Sequence, residues 1–172
     1  MHSMTEANLK AAFAGESQAH VKYLNFSEKA KAENKPNVAR LFAAASYSEQ
    51  VHASSHLKKG LAGVASTSEN LAAAINGEGF EVDEMYPAFM SVAESQGETA
   101  AKTSFNRANE AEKIHRALYS KAKEAVDAGN DAAIGDVWVC GNCGSTSEGA
   151  QPDKCSLCGA GPEVFVKFQL QS

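Results

Sequence analysis

The sequence has no long hydrophobic run and no secretory signal at its start. A transmembrane helix needs about 20 consecutive apolar residues, and no stretch of this 172-residue chain approaches that length. The first residues also lack a basic segment followed by an apolar one, the order that marks export. We therefore predict a globular, cytoplasmic protein that has no membrane partner.

Cysteine is missing from the first 139 residues, because all four cysteines lie between positions 140 and 158. A secreted chain held by disulfides would carry cysteines along its longer N-terminal part. Two closely spaced pairs at one end of a chain are instead typical of a metal site. The cysteines thus indicate a metal site near the C-terminal end of the chain and argue against disulfides.

A basic surface is missing as well. The formal net charge is −5, and no stripe of lysine and arginine is present that would follow a phosphate backbone. This charge balance argues against nucleic acid as a partner.

Helical periodicity is the main feature that is present. Apolar residues recur at helical spacing in four stretches, which are interrupted at proline and glycine positions. The pattern predicts helix A over residues 5–33, helix B over 36–60, helix C over 80–96 and helix D over 98–127. After helix D the composition changes to Gly, Cys and two short apolar pieces, "VWVC" and "EVFVKF", which predict strands.

Residues 61–79, between helices B and C, contain three glycines and the Ser66–Glu69 spacing of a capping box. We interpret this segment as a connection that runs along the other helices, not as a principal helix. Within helix C, Pro87 lacks a backbone donor and should bend the helix.

Charged residues on the apolar faces of these helices are unexpected. Residues three or four positions apart share one face of a helix. The apolar faces carry Glu16 and His20 on helix A, Glu49, His52 and His56 on helix B, Glu81 and Glu84 on helix C, and Glu112 and His115 on helix D.

A lone buried carboxylate is costly when ionised, so several converging ones need shared cations. Carboxylates combined with neutral imidazoles suit iron or manganese. Ferritin-like di-iron proteins use a Glu from each of two helices and Glu-x-x-His from the other two, and the pairs Glu49–His52 and Glu112–His115 both match that motif. The alternative is a solvated charged face, but the position of both motifs on the core side of long helices favours a metal site.

The outer polar residues on the same faces have weaker assignments. We interpret His20 and His56 as hydrogen-bonded neighbours of the ligands, not as direct ligands. Tyr23 and Tyr119 lie one or two turns beyond the proposed ligands, where each is either a partner of a carboxylate or a core tyrosine with its hydroxyl at the rim.

The tail contains two C-x-x-C pairs, Cys140 with Cys143 and Cys155 with Cys158, separated by eleven residues. Four thiolates at this spacing complete a tetrahedron around zinc or iron. Zinc would only hold the tail together, whereas iron could pass single electrons. The spacing does not choose between the two metals.

From about residue 4 to residue 168 the chain resembles the rubrerythrin family. The resemblance rests on six motifs in their order along the chain: "AGESQA", "SEQVH", "EVDEMYP", "EKIH", "WVCGNCG" and "CSLCG". The resemblance implies a mainly α fold: a ferritin-like four-helix bundle with a long crossover between helices B and C, then a small β-rich rubredoxin-like domain. The implied domains are 4–134 and 135–172. It also implies a homodimer in which the small domain of one chain lies near the metal site of the other.

The same resemblance implies a set of site residues. The di-iron centre would take Glu16, Glu49, His52, Glu81, Glu84, Glu112 and His115, and a mononuclear iron, or zinc as its substitute, would take Cys140, Cys143, Cys155 and Cys158. His52 and Glu84 would be catalytic, with His52 binding one iron in the reduced state and Glu84 replacing it after oxidation. Ser145 and Ser156 depart from the family pattern, since many relatives have an aromatic residue and a proline there.

The implied activity is that of a non-haem di-iron peroxidase. It would reduce hydrogen peroxide to water in defence against oxidative stress, with electrons entering through the four-cysteine iron site from a rubredoxin or an NAD(P)H-dependent reductase. A separate reductase is expected because the chain has no Gly-rich dinucleotide motif. Two alternatives remain open at this point: ferritin-like iron storage, and a structural protein with zinc in both sites.

Overall fold

The computed structural model describes residues 1–169 and forms two compact units, Met1–Ala65 and Ser66–Ser172. The domain boundary predicted at residue 134 falls inside the second unit. The division into 4–134 and 135–172 therefore stays a prediction, and the last three residues of the second predicted domain lie outside the described residues.

The first unit is a helical hairpin. Helix α1 spans Ser3–Ala32, α2 spans Pro36–Ser55, and a π-helical turn, His56–Gly60, extends α2. Asn34 turns the chain between the helices with a φ of 56°, a left-handed conformation that asparagine tolerates better than most residues. Predicted helices A and B are confirmed to within a few residues.

Small buried residues let α1 and α2 approach closely. Ser27, Ala39 and Ser46 are all nearly inaccessible to solvent. The Ser27 hydroxyl donates to the Ala39 carbonyl at 2.8 Å, and the Ser46 hydroxyl donates to the His20 carbonyl at 2.9 Å. These bonds between the two helices fix how the residues of α1 and α2 align along the hairpin.

The second unit begins with one long helical stretch. It consists of α3 (Thr67–Phe80), a π-helical segment (Glu81–Met85) and α4 (Tyr86–Ser95). The prediction that residues 61–79 form a connection was wrong from Thr67 onward. The capping box and the alanines of this segment favour a helix despite its glycines. Gly79 allows close packing, because a Cβ there would lie 3.4 Å from Cζ of Arg116.

The π-helical segment explains how the long helix accommodates Pro87. The Tyr86 N–H donates to the Glu81 carbonyl, five residues back. Pro87 then lies in the first turn of α4, where a missing backbone donor costs little. The bend predicted at Pro87 stays a prediction; the structure shows a π-helical turn before the proline, a feature often found at functional sites.

The start of α3 has the predicted capping box. The Glu69 backbone N–H donates to the Ser66 hydroxyl, and the Ser66 backbone N–H donates to the Glu69 carboxylate. We expect Ser66→Ala to lower the free energy of unfolding by about 1 kcal/mol, because the Glu69 backbone N–H loses its acceptor. Urea denaturation would measure the change. Thr67→Ala is the matched control, because Thr67 lies after the cap; equal losses in both variants would contradict the capping role.

Helix α5 (Thr99–Asp127) confirms predicted helix D and packs against both α3 and α4. The Phe105 ring lies 5.6 Å from that of Phe89 and 6.3 Å from that of Tyr86, measured between centroids. None of the helices within residues 1–169 combines the length and apolar character that a membrane span requires.

A three-stranded antiparallel sheet follows α5. Strands β1 (Val137–Cys140), β2 (Thr146–Glu148) and β3 (Phe165–Phe168) lie in the order β2-β1-β3. Strands β1 and β3 confirm the predictions from "VWVC" and "EVFVKF", whereas β2 was not predicted. The mainly α fold class with a small β-rich tail is confirmed.

Candidate metal centres

Three groups of metal-binding side chains occur in the described part of the chain, each with its ligand atoms within 4.8 Å of one another. Two are carboxylate–imidazole clusters and one is a cysteine cluster. The acidic clusters are defined by their residues. Cluster 1 consists of Glu16, Glu49 and His52, and cluster 2 consists of Glu78, Glu112 and His115.

Cluster 1 belongs to the first unit. Glu16 comes from α1, and Glu49 and His52 come from one face of α2, with His52 Nδ1 3.0 Å from Glu49 Oε2. The hydrogen bond between the two carboxyl groups raises the pKa of Glu16 and lowers that of Glu49, and His52 lowers the latter further. The two carboxyl groups face each other at the position that a cation would take.

Cluster 2 belongs to the second unit. Glu78 comes from α3, and Glu112 and His115 come from α5, with His115 Nδ1 2.6 Å from Glu112 Oε2. Burial, followed by repulsion from Glu112, raises the pKa of Glu78 to about 6. The same two causes raise the pKa of Glu81, one helical turn further along. Negative charge is thus concentrated at this cluster.

The donor chemistry of both clusters fits a di-iron centre. Each cluster offers one glutamate and one Glu-x-x-His pair, which is half of the ligand set that ferritin-like di-iron proteins use. Carboxylates that raise one another's pKa are stabilised by a divalent cation, which offsets their like charges. Imidazole and carboxylate oxygen together suit iron and manganese.

Most of the predicted ligands lie in these clusters. The structure places Glu16, Glu49 and His52 in cluster 1, and it places Glu112 and His115 in cluster 2, close to Glu81. His20 is held by Ser46, whose carbonyl oxygen and hydroxyl lie 2.9 Å and 3.0 Å from its Nδ1.

Glu84 lies outside both acidic clusters. It is exposed and lines a shallow pocket with Asp83 and Arg116, whose Nη1 donates to Asp83 Oδ2 at 2.9 Å. In an α-helix Glu84 would share a face with Glu81, but the wider π-helical turn shifts the phase of the helix between them. The assignment of Glu84 as a ligand stays a prediction.

Glu78 is the cluster residue that sequence reasoning missed. It was overlooked because residues 61–79 were interpreted as a connection. The available signal was the three-residue spacing between Glu78 and Glu81, combined with the capping box at Ser66. Had the helix been started at that cap, Glu78 and Glu81 would have been placed on one face.

The cysteine cluster brings both C-x-x-C pairs together. The Sγ atoms of Cys140 and Cys158 are 3.7 Å apart, and those of Cys143 and Cys155 are 3.6 Å apart. Each pair is followed by a glycine in the left-handed region, with φ of 78° at Gly144 and 76° at Gly159. These glycines let each loop turn its two sulfur atoms toward one point.

Hydrogen bonds to Cys158 Sγ favour the thiolate form, which is the form that binds a metal. The Ala160 backbone N–H and the Asn142 side-chain amide donate to Cys158 Sγ and lower the pKa of Cys158 to about 6. Burial raises the pKa of Cys143 to about 12. Four thiolates this close would repel one another, so the cluster needs a cation to hold all four in ionised form.

Comparison with known proteins identifies the family. The sequence profile of rubrerythrin matches residues 7–60 and 61–123, and that of the rubrerythrin rubredoxin-like domain matches residues 138–166. The chain belongs to the rubrerythrin family. The resemblance seen in the sequence motifs is thereby confirmed for most of the length of the protein.

Individual relatives of this rubrerythrin-family protein match over almost its whole length. Rubrerythrin-2 of Clostridium acetobutylicum is 38% identical over 180 residues, which cover 97% of this chain and 98% of the relative. Nigerythrin of Nitratidesulfovibrio vulgaris is 33% identical over 177 residues, covering 95% and 86%. A solved structure of nigerythrin in a mixed-valence state has a TM-score of 0.55 at 32% identity, covering 98% of this chain and 88% of that one.

Family membership and donor geometry together define the cofactors. This rubrerythrin-family protein has a di-iron site of carboxylates and imidazoles and a rubredoxin-like iron site of four cysteines. The family is one of oxidoreductases. A purely structural zinc protein is thus not what the family assignment indicates.

Proposed function

We propose that the protein is a peroxidase that reduces hydrogen peroxide to water. The observation that carries the proposal is the presence, in one rubrerythrin-family chain, of carboxylate–imidazole donors and a four-cysteine site. When bound, the di-iron centre would supply the two electrons that break the O–O bond, and the iron of the four-cysteine site would return electrons to the di-iron centre one at a time. The balance is one peroxide, two electrons and two protons for two waters.

The side chains in and beside cluster 2 have two proposed roles, which are to bind the metal and to offset its charge. Glu78, Glu112 and His115 converge and would hold metal. Glu81 is half-buried and its pKa is raised by burial and by the charge on Glu112, so it is a carboxylate that gains from a nearby cation. The exchange with His52 that would accompany a change of oxidation state stays assigned to Glu84, as the sequence resemblance implies.

Electrons would come from outside the chain. A rubredoxin or an NAD(P)H-dependent reductase is the proposed donor, because the sequence lacks a Gly-rich dinucleotide motif. A homodimer and a cytoplasmic location complete the proposal and rest on the sequence resemblance.

Iron loading followed by peroxide tests the proposal. We expect anaerobic loading to give about three irons per chain, two at the acidic residues and one at the cysteines. Stoichiometric peroxide should then oxidise the reduced protein, followed by absorbance. A preparation with zinc in all sites is the control and should not react.

Two results would contradict this function. If the chain binds only one metal ion tightly, and truncation after residue 134 removes that ion, the protein has no di-metal site. Uptake of many irons per chain with slow reaction toward peroxide would instead indicate iron storage.

A further inference from the structure

The ring of His115 connects cluster 2 to the cysteine domain within the second unit. Its Nδ1 atom faces Glu112 Oε2 at 2.6 Å, and its Nε2 atom lies 2.8 Å from Oγ1 of Thr146. Thr146 is the first residue of β2 and follows Gly144 of the first cysteine loop by two positions. One side chain therefore contacts both the acidic cluster and the strand next to the cysteines.

The direction of this hydrogen bond follows from the neighbours of Thr146. Its hydroxyl donates to the Gly144 carbonyl at 3.3 Å, and a hydroxyl has a single proton to donate. When Nδ1 of His115 binds a metal ion, the neutral ring carries its one proton on Nε2, and Thr146 Oγ1 accepts a hydrogen bond from it. Nδ1 then binds the metal ion at cluster 2 beside Glu112, and the bond from Nε2–H to Thr146 fixes the orientation of the ring.

Two further contacts hold Thr146 in place. It pairs with Val139 of β1, the residue before Cys140. Glu148, on the same face of β2, accepts a charged hydrogen bond from Lys121 of α5 at 3.0 Å. Strand β2 is thus fixed to α5 at two points, one of which is the His115–Thr146 bond.

The bond lies at the wall of a mostly apolar cavity. The cavity has a volume of about 460 Å³, and His115 and Thr146 line it together with Leu118, Tyr119 and Val139. In such surroundings an unpaired imidazole N–H would be costly. The hydroxyl of Thr146 therefore has a defined role that an apolar side chain of similar shape could not fill.

We propose that Thr146 is a positioning residue, which fixes the ring of His115 with Nδ1 toward cluster 2 and joins that cluster to the first cysteine loop within one chain. The path runs from Cys143 through Gly144 and Thr146 to His115. The role in electron supply rests on the proposed function, whereas the role in orienting His115 does not. The sequence resemblance implied that the small domain serves the partner's site; here it also contacts a ligand of its own chain.

Three variants of the full-length protein test the proposal. Thr146→Val removes the hydroxyl and keeps the shape, Thr146→Ser keeps the hydroxyl, and Ser147→Ala is the matched control. Ser147 suits that purpose because its buried hydroxyl has no hydrogen-bond partner in the described part of the chain. The probe is Zn²⁺, added after zinc has filled the cysteine site.

We expect the Nε2–H proton of His115 to give a solvent-protected signal in long-range ¹H–¹⁵N spectra of the zinc-loaded protein. Thr146→Val should lose that signal and bind the additional Zn²⁺ about tenfold more weakly, as is typical when the partner of a ligating histidine is removed. Thr146→Ser and Ser147→Ala should retain both the signal and the affinity. Wild-type affinity together with a retained Nε2–H signal in Thr146→Val would overturn the proposal.

An iron-loaded experiment separates the orienting role from the peroxidase function. In Thr146→Val the reoxidation of the reduced iron in the four-cysteine site after peroxide addition should slow by about tenfold, and Thr146→Ser should restore it. An unchanged rate would remove the proposed path. If wild-type iron protein does not react with peroxide, the peroxidase function fails, and the zinc experiment still decides the role of Thr146.

Discussion

Replacing Glu78 with glutamine is expected to abolish iron binding at cluster 2, whereas Glu84→Gln should leave it intact. Glu78 lies within 4.8 Å of the ligand atoms of Glu112 and His115, and Glu84 does not belong to the cluster. Glutamine keeps the size of the side chain but removes the anionic oxygen that hard cations require. Loss of a direct ligand should weaken binding by more than about 100-fold, beyond the usual effect of its neighbours.

Metal analysis after anaerobic iron loading would measure this difference, and circular dichroism would verify that both variants keep their helices. Glu81→Gln adds a third comparison. We expect it to retain iron and to slow peroxide reduction, because Glu81 lies beside the cluster without belonging to it. Iron loss in Glu84→Gln with normal loading of Glu78→Gln would restore the assignment made from the sequence.

Replacing Cys140 or Cys158 with serine is expected to stop repeated turnover while sparing the first one. Each substitution removes one thiolate from a four-sulfur site, and three thiolates with a hydroxyl suit iron poorly. The visible absorbance of the ferric four-cysteine site should therefore be lost. A chemically reduced di-iron centre should still consume one peroxide rapidly, because its own ligands are untouched.

Stopped-flow absorbance with and without an external reductase would separate the two phases. Ser156→Ala is the matched control, since Ser156 lies inside the second C-x-x-C pair and is not a ligand. If the single turnover also disappears while the helical signal and the bundle iron persist, the separation of roles between the two centres is wrong.

The sequence alone determined much of the chemistry of this protein. The spacing of three between Glu49 and His52, and between Glu112 and His115, is a local property of a helix, and so their proximity follows from the α-helical repeat. The two C-x-x-C pairs likewise place sulfur atoms together through short loops that close on themselves. The order of these motifs along the chain resembles that of the rubrerythrin family, and this resemblance implied the fold class and the iron sites without coordinates.

Only the tertiary structure decided which carboxylate of the third helical stretch faces Glu112. An α-helical repeat places Glu84 with Glu81, but the π-helical turn between Glu81 and Met85 changes that phase. The turn precedes Pro87 and packs against α5. Packing against α5 is a long-range interaction, so a local sequence pattern does not predict the turn. Gly79 likewise suggested the end of a helix in the sequence, but in the fold it lies against the Arg116 side chain, which is another long-range contact.

The contact between His115 and Thr146 likewise depended on the fold. The two residues are 31 positions apart, and the short strand that carries Thr146 has no periodic signal. Their meeting requires β2 to pair with β1 and to be fixed to α5, both of which are long-range interactions. The sequence therefore determined which side chains can bind metal, and tertiary packing determined which of them meet and which nitrogen of His115 faces the site.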